Sequence, residues 1–225
     1  ICDRFEDRLV PLVHRSLYTT GIAESVLGER VEEVRAGLPQ EVDLAFLPSL
    51  RGVSIRISTR ARAGLAAKLL DEAQAVLDPV VARYRIGMEK SDLVEAVADV
   101  LTSGSHTLAV AESCTGGLMA KRITDLPGSS TYFRGGVIAY ADHVKLELLG
   151  VEEAVLVESG AVSEAVVADM ARGVADLLKA DVGVGITGVA GPGGGTPDKP
   201  VGTVWIAVAV QGSVRTSHRV FPGDR

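Results

Sequence analysis

The run Ala111-Glu112-Ser113-Cys114-Thr115-Gly116-Gly117 sets a hydroxyl beside a thiol, between an apolar segment and two glycines. The thiol is intrinsically the better nucleophile, whereas the hydroxyl needs a base to take its proton. Alternation across the turn allows only one of Ser113 and Cys114 to enter a given site. Cys114 with His106 or His143 would make a Cys–His pair, yet cysteine is also among the residues most often buried. Ser113 by itself could equally be a helix N-cap. Gly116 and Gly117 favour a functional turn, because they bring amides to a helix start, where a phosphate or a developing oxyanion is stabilised. No G-x-S-x-G elbow is present. Composition alone does not choose between the serine and the cysteine.

A serine nucleophile would find its base among Lys145, Tyr140 and His143, in the run Val137–Gly150. A lysine is ordinarily a solvated charge, but one removed from water loses proton affinity and can act as a base. The second glycine-rich segment, Thr187-Gly188-Val189-Ala190-Gly191-Pro192-Gly193-Gly194-Gly195, could offer several amides to an anion, or could be a flexible connector. Just before it, Gly183-Val184-Gly185-Ile186-Thr187-Gly188 matches G-x-G-x-x-G. A dinucleotide fingerprint requires those glycines to open a helix, and the Gly- and Pro-rich residues after Gly188 cannot be helical, so the match is rejected. The same loop lacks Gly-Lys-Ser/Thr and is no nucleotide P-loop.

These residues need elements to hold them. An apolar run at 107–111 reads as a buried strand and 118–126 as a helix, which makes the Ser113 segment a strand-to-helix turn. Further strands are expected at 135–140, 181–187, 201–210 and 214–221, alternating with helices at 142–150 and 163–179. A helix at 92–103, capped by Ser91, carries Leu93, Val94, Val97, Val100 and Leu101 as one stripe. Upstream, a strand within 12–21, a helix over 22–38, a strand pair turning near Pro48 to Gly52, and a helix over 61–84 broken late by Pro79 make a β-α-β-β-α unit. The fold class is thus α/β: a small α+β domain at 1–86, joined by a linker near 85–92 to a C-terminal three-layer α/β/α domain with a mixed sheet at 87–225. In such sheets ligands sit beyond the carboxyl ends of the strands, which points to the loops after 111 and 187.

Composition bounds the partners. At 225 residues, with 47% hydrophobic and 23% charged residues, the chain can build a real core. Its formal charge of −6 does not favour binding a phosphate backbone, so no nucleic acid partner is expected. Two cysteines, Cys2 and Cys114, make no disulfide framework or metal spacing, which suits a reducing cytoplasm. No signal peptide or membrane-length apolar run is visible. A chain that starts at Ile1 without methionine and stops at Arg225 is expected to be part of something longer.

Several motifs occur in order: AESCTGG, LPGSSTYFRGGVIAY, Lys145 followed by LLGV, SGAVSE, TGVAGPGGG, KPVGTVW and FPGDR. On these, residues 88–225 resemble the C-terminal domain of the CinA family of competence/damage-inducible proteins, also found alone as nicotinamide mononucleotide deamidase. The first 85 residues look like the middle domain of long CinA proteins, which in those follows a molybdopterin-binding-like domain with pyrophosphatase activity. The resemblance implies hydrolysis of nicotinamide mononucleotide to nicotinate mononucleotide and ammonia, with no metal or cofactor in this domain and a homodimer as the assembly. It implies Ser113 as nucleophile, Lys145 as base with Tyr140 beside it, and Thr187 near the reacting carboxamide. Cys114 then becomes a packing residue. Thr115, Gly116 and Gly117 complete the substrate turn, and Gly188, Gly191, Gly193 and Arg225 become candidates for the ribose phosphate. Truncation after Arg225 would remove a helix that the family has there. The competing expectation is a non-catalytic competence or recombination accessory module.

Overall fold

The structure, a computed structural model, describes residues 11–49, 52–86 and 92–222. The chain divides into two units, Ile1–Ala96 and Val97–Arg225. Ser91 and Arg225, both expected to have roles, lie outside the described residues.

In the first unit β1 (Val13–Thr19), α1 (Glu24–Val34), β2 (Val42–Ser49), β3 (Gly52–Thr59) and α2 (Ala63–Val81) follow in the expected order. The sheet runs β1-β3-β2 and is antiparallel throughout. Alternation along the central strand puts Val53, Ile55 and Ile57 on one face, where they meet Leu27 and Val31 of α1 and Leu70, Ala73, Leu77 and Val81 of α2. Pro48 falls on β2, an edge strand, where its missing N–H costs no ladder bond. Pro79 does not break α2: it lies in the last turn, and the Ala82 amide still reaches the Asp78 carbonyl at 2.8 Å. A proline there removes a single i→i−4 bond, too little to end a helix held by its buried face.

The second unit carries a five-stranded sheet in the order β5-β4-β6-β7-β8. Its strands are β4 (Leu108–Glu112), β5 (Phe133–Ile138), β6 (Val182–Gly188), β7 (Thr203–Val210) and β8 (Ser213–Val220). β4 is parallel to both neighbours and the β6-β7-β8 part is antiparallel, so the sheet is mixed as expected. The helices are α3 (Leu93–Ser103), α4 (Leu118–Thr124), α5 (Asp142–Glu147), α6 (Glu153–Ser159) and α7 (Glu164–Leu178). α6 was not expected from the sequence. α3 forms, but its stripe is not buried as one: Leu101 is buried while Leu93, Val97 and Val100 are exposed. No helix among the described residues is long and apolar enough to cross a membrane.

α7 packs Val166, Val167, Met170, Ala171 and Val174 against one face of this sheet. That approach explains the G-x-G-x-x-G look-alike. A Cβ on Gly183 would stand 2.0 Å from the Ala171 carbonyl oxygen, and one on Gly185 2.6 Å from that of Val167. These glycines let a helix lie on the strand. Gly183→Ala is therefore expected to destabilise the second unit by about 3 kcal/mol, the overpacking cost of displacing backbone; a urea midpoint unchanged from wild type would contradict this.

At the opposite end of β4 and β6, Thr107 donates its amide and hydroxyl to Asp181 Oδ2 at 2.8 and 2.7 Å, and the Asp181 amide returns a bond to the Thr107 hydroxyl at 3.0 Å. The Thr107 hydroxyl first, and its amide next, hold the Asp181 carboxyl below its ordinary value of 3.8. The folded state thus favours the carboxylate, so this stability is present above the unfolded value and is lost as pH falls through the folded one. Asp181→Asn should lower stability at neutral pH, with the difference from wild type closing below about pH 4. A difference that stays constant in acid would remove the ionised carboxylate from the account.

Candidate active site

The site gathers where β5, β4 and β6 end side by side. The ladder runs past β4: the Ser113 amide donates to the Ile186 carbonyl at 2.9 Å, and the Ala139 amide donates to the Glu112 carbonyl at 2.8 Å. Ser113 is thereby clamped between the ends of both neighbouring strands. Ala109 and Ala111 of β4 pack on the α7 side, so alternation sends Val110 and Glu112 to the other face and Ser113 back to the α7 face. Ser113 is buried, 8% exposed, and its hydroxyl has no hydrogen-bond partner among the described residues. Cys114 goes the other way: its Sγ lies 3.1 Å from where a Cβ of Gly188 would stand, beside Val204. The serine and the cysteine are thus separated by the sheet, as alternation requires.

Thr187, on the α7 face of β6, is 1% exposed and donates its hydroxyl to the Ala161 carbonyl at 2.9 Å. That bond ties the end of β6 to the loop before α7, whose N-cap Ser163 accepts the Val166 amide at 3.3 Å. Ser163 also donates its hydroxyl to the Gly160 carbonyl at 2.8 Å. From α5, Lys145 turns inward and is 1% exposed, the bulkiest fully buried side chain among the described residues. Its Nζ donates to Asp142 Oδ1 at 3.1 Å and to the Tyr140 carbonyl at 3.4 Å. Tyr140 follows Ala139, so this holds the amine at the end of β5, next to the strand that carries Ser113. The Tyr140 ring is exposed, and His143 is exposed on α5.

The amides of the turn are distributed unexpectedly. Gly116 donates to the Ser113 carbonyl at 3.2 Å and Leu118 to the Thr115 carbonyl at 3.1 Å. Gly117, Met119 and Ala120 donate to the Glu112 carboxylate at 3.1, 3.0 and 2.8 Å. Neither glycine amide is left for a ligand, and the start of α4 is already occupied by an anion of the protein's own. The glycines serve the turn through conformation: Gly116 and Gly117 have φ of 60° and 101°, where a side chain is strained. Thr115 is different. Its amide has no acceptor among the described residues, and its hydroxyl is buried without a partner. Glu112 and Asp142 do not stand out in the sequence as site residues; a glutamate before a Gly-Gly helix start is the one available signal.

The second glycine-rich loop closes on itself through Val189 to the Thr203 carbonyl and Gly202 to the Val189 carbonyl, both 2.8 Å. Gly188 admits no side chain, since a Cβ would meet the Thr203 carbonyl oxygen at 2.5 Å. The amides of Gly191 and Gly193 have no acceptor among the described residues, in keeping with an anion-binding turn. Lys199 anchors the loop, donating from Nζ to the Ser159 carbonyl at the end of α6 at 2.8 Å. Among the described residues no group of His, Cys, Asp and Glu has the arrangement of a metal centre.

Residues 90–225 match the model of the CinA C-terminal domain, and residues 14–87 match that of the damage-inducible protein CinA KH domain. A CinA-like protein of Gemmatimonas aurantiaca is 45% identical over 94% of this chain and 49% of its own length. One of Salinibacter ruber is 44% identical over 94% of this chain and 52% of its own length. The chain therefore spans about half the length of these relatives. Among solved structures, the competence damage-inducible protein A of Klebsiella pneumoniae aligns with a TM-score of 0.57 at 36% identity, covering 59% of this chain and 82% of that one. The competence/damage inducible protein of Agrobacterium tumefaciens aligns with the same score at 37% identity, covering 59% of this chain and 80% of its own.

Proposed function

Because the chain belongs to the CinA family, we propose that its C-terminal unit is a serine amidohydrolase that converts nicotinamide mononucleotide to nicotinate mononucleotide and ammonia. The observation that carries the reading is a Ser113 only 8% exposed and clamped between two strand ends, with a fully buried lysine amine anchored at the end of one of those strands. In this reading Ser113 Oγ attacks the carboxamide carbon and its proton passes to Lys145 Nζ. The Thr115 amide stabilises the oxyanion. Collapse of the tetrahedral intermediate breaks the C–N bond, and Lys145 returns the proton to the departing ammonia. Water, deprotonated by Lys145, then hydrolyses the ester and restores the serine.

The bonds from Lys145 Nζ to Asp142 and to the Tyr140 carbonyl support this reading, because they hold the nitrogen at the end of β5, beside the strand that carries Ser113. The ribose phosphate is assigned to the Gly191–Gly193 amides. Nicotinamide riboside should then fall below the mononucleotide in kcat/KM by about a hundredfold, the worth of two charge-assisted hydrogen bonds of about 1.5 kcal/mol each. Ammonia release from both substrates, with and without a chelator, is the test. Equal values would remove the phosphate cradle; no release from either would leave the accessory-module reading.

A further inference from the structure

Glu112 is 1% exposed, yet it is a carboxylate, and among the described residues no Lys or Arg side chain pairs with it. Its charge is met by backbone. Oε2 accepts the Gly117 and Met119 amides at 3.1 and 3.0 Å, and Oε1 accepts the Ala120 amide at 2.8 Å. A buried carboxylate with three amide donors is a strong local constraint, because its loss would leave three partly buried amides without their acceptor. The constraint falls on the four residues that separate Glu112 from Gly117, and Ser113 is the first of them. The main chain at Glu112 is fixed as well, through its carbonyl to the Ala139 amide, and that at Ser113 through its amide to Ile186. The turn is therefore pinned at its strand end by the sheet and at its helix end by this one side chain.

We infer that Glu112 is a positioning residue that works from the opposite face of the sheet: its carboxylate takes the first amides of α4 out of play, holding Ser113 and the Thr115 amide in the geometry that attack on a carbonyl requires. It touches no reacting atom. Two consequences separate this from a generic core role. Glu112 should act on turnover and hardly on substrate affinity, since the proposed phosphate loop lies elsewhere. It should also act on any reaction of the Ser113 hydroxyl, whatever the substrate.

This inference rests on Ser113 being a nucleophile, and its test is chosen to fail separately from the choice of substrate. In the 225-residue chain, Glu112→Gln keeps the shape but puts an NH2 against one amide donor, and Glu112→Asp keeps the charge but shortens the reach. Two readouts are taken: kcat and KM for nicotinamide mononucleotide, and the rate at which a fluorophosphonate labels Ser113, with Ser113→Ala as the blank. The expected result for a variant with wild-type circular dichroism is a fall of tenfold or more in kcat and in labelling rate, with KM within about threefold. If the mononucleotide is not a substrate but Ser113 is labelled, the deamidase reading fails while the labelling rates still decide the role of Glu112. Either folded variant keeping kcat or labelling within twofold of wild type overturns the inference. So does an unlabelled Ser113 in the wild type, or the failure of both variants to fold, which would make Glu112 a core residue without a specific hold on the turn.

Discussion

Ser113→Ala should lower deamidation of nicotinamide mononucleotide by about three powers of ten or more, while Cys114→Ala keeps most of the activity. The two neighbours differ because the sheet separates them. Ser113 lies at the strand ends with an unpartnered hydroxyl, whereas Cys114 packs toward Gly188 and Val204 on the other face. Removing the serine oxygen leaves no atom to form the acyl intermediate, and the residual rate measures only what binding and the oxyanion donor can do with water. Removing the thiol should cost about 1 kcal/mol of stability. Steady-state ammonia release on both variants, with thermal melts as the control for folding, makes the comparison. An active Ser113→Ala beside a folded but inactive Cys114→Ala would reverse the assignment.

Lys145→Met should lower kcat by about 10²- to 10⁴-fold, the usual contribution of a positioned general base. Methionine is close to lysine in length and apolar, so it can occupy a site that is 1% exposed without stranding a charge. The partner left behind, Asp142, is 57% exposed on its side chain and is solvated once the amine is gone. The variant is therefore expected to fold and still to bind nucleotide, which separates loss of chemistry from loss of structure. Lys145→Arg sharpens the comparison: it retains positive charge beside Asp142 but cannot release a proton near neutrality. Both variants should be nearly inactive. Near-wild-type turnover in the arginine variant would make Lys145 an electrostatic anchor, and the base role would pass to Tyr140 or His143.

The repeat of the apolar pattern alone determined most of the elements. Alternation at Val53, Ile55 and Ile57 and the 3.6-residue spacing of α7 are properties of neighbours in the chain, and such neighbours decide which face is buried wherever they occur. The position of the Ser113 turn between β4 and α4 was legible for the same reason, as was the rejection of Gly183–Gly188 as a dinucleotide loop. The choice of Ser113 over Cys114 came from the family resemblance, because alternation says that they diverge but not which face holds the site. Only tertiary structure supplied the long-range partners. Thr187 finds Ala161 across 26 positions and Thr107 finds Asp181 across 74. The amides of Gly117, Met119 and Ala120 go to a carboxylate that reads, in sequence, as an ordinary strand-end charge. α6 and the exposed stripe of α3 likewise escaped the local reading. Periodicity states that a residue is turned inward or outward, but a hydrogen bond depends on which distant segment arrives opposite it, and that is set by the packing of the sheet and its helices together.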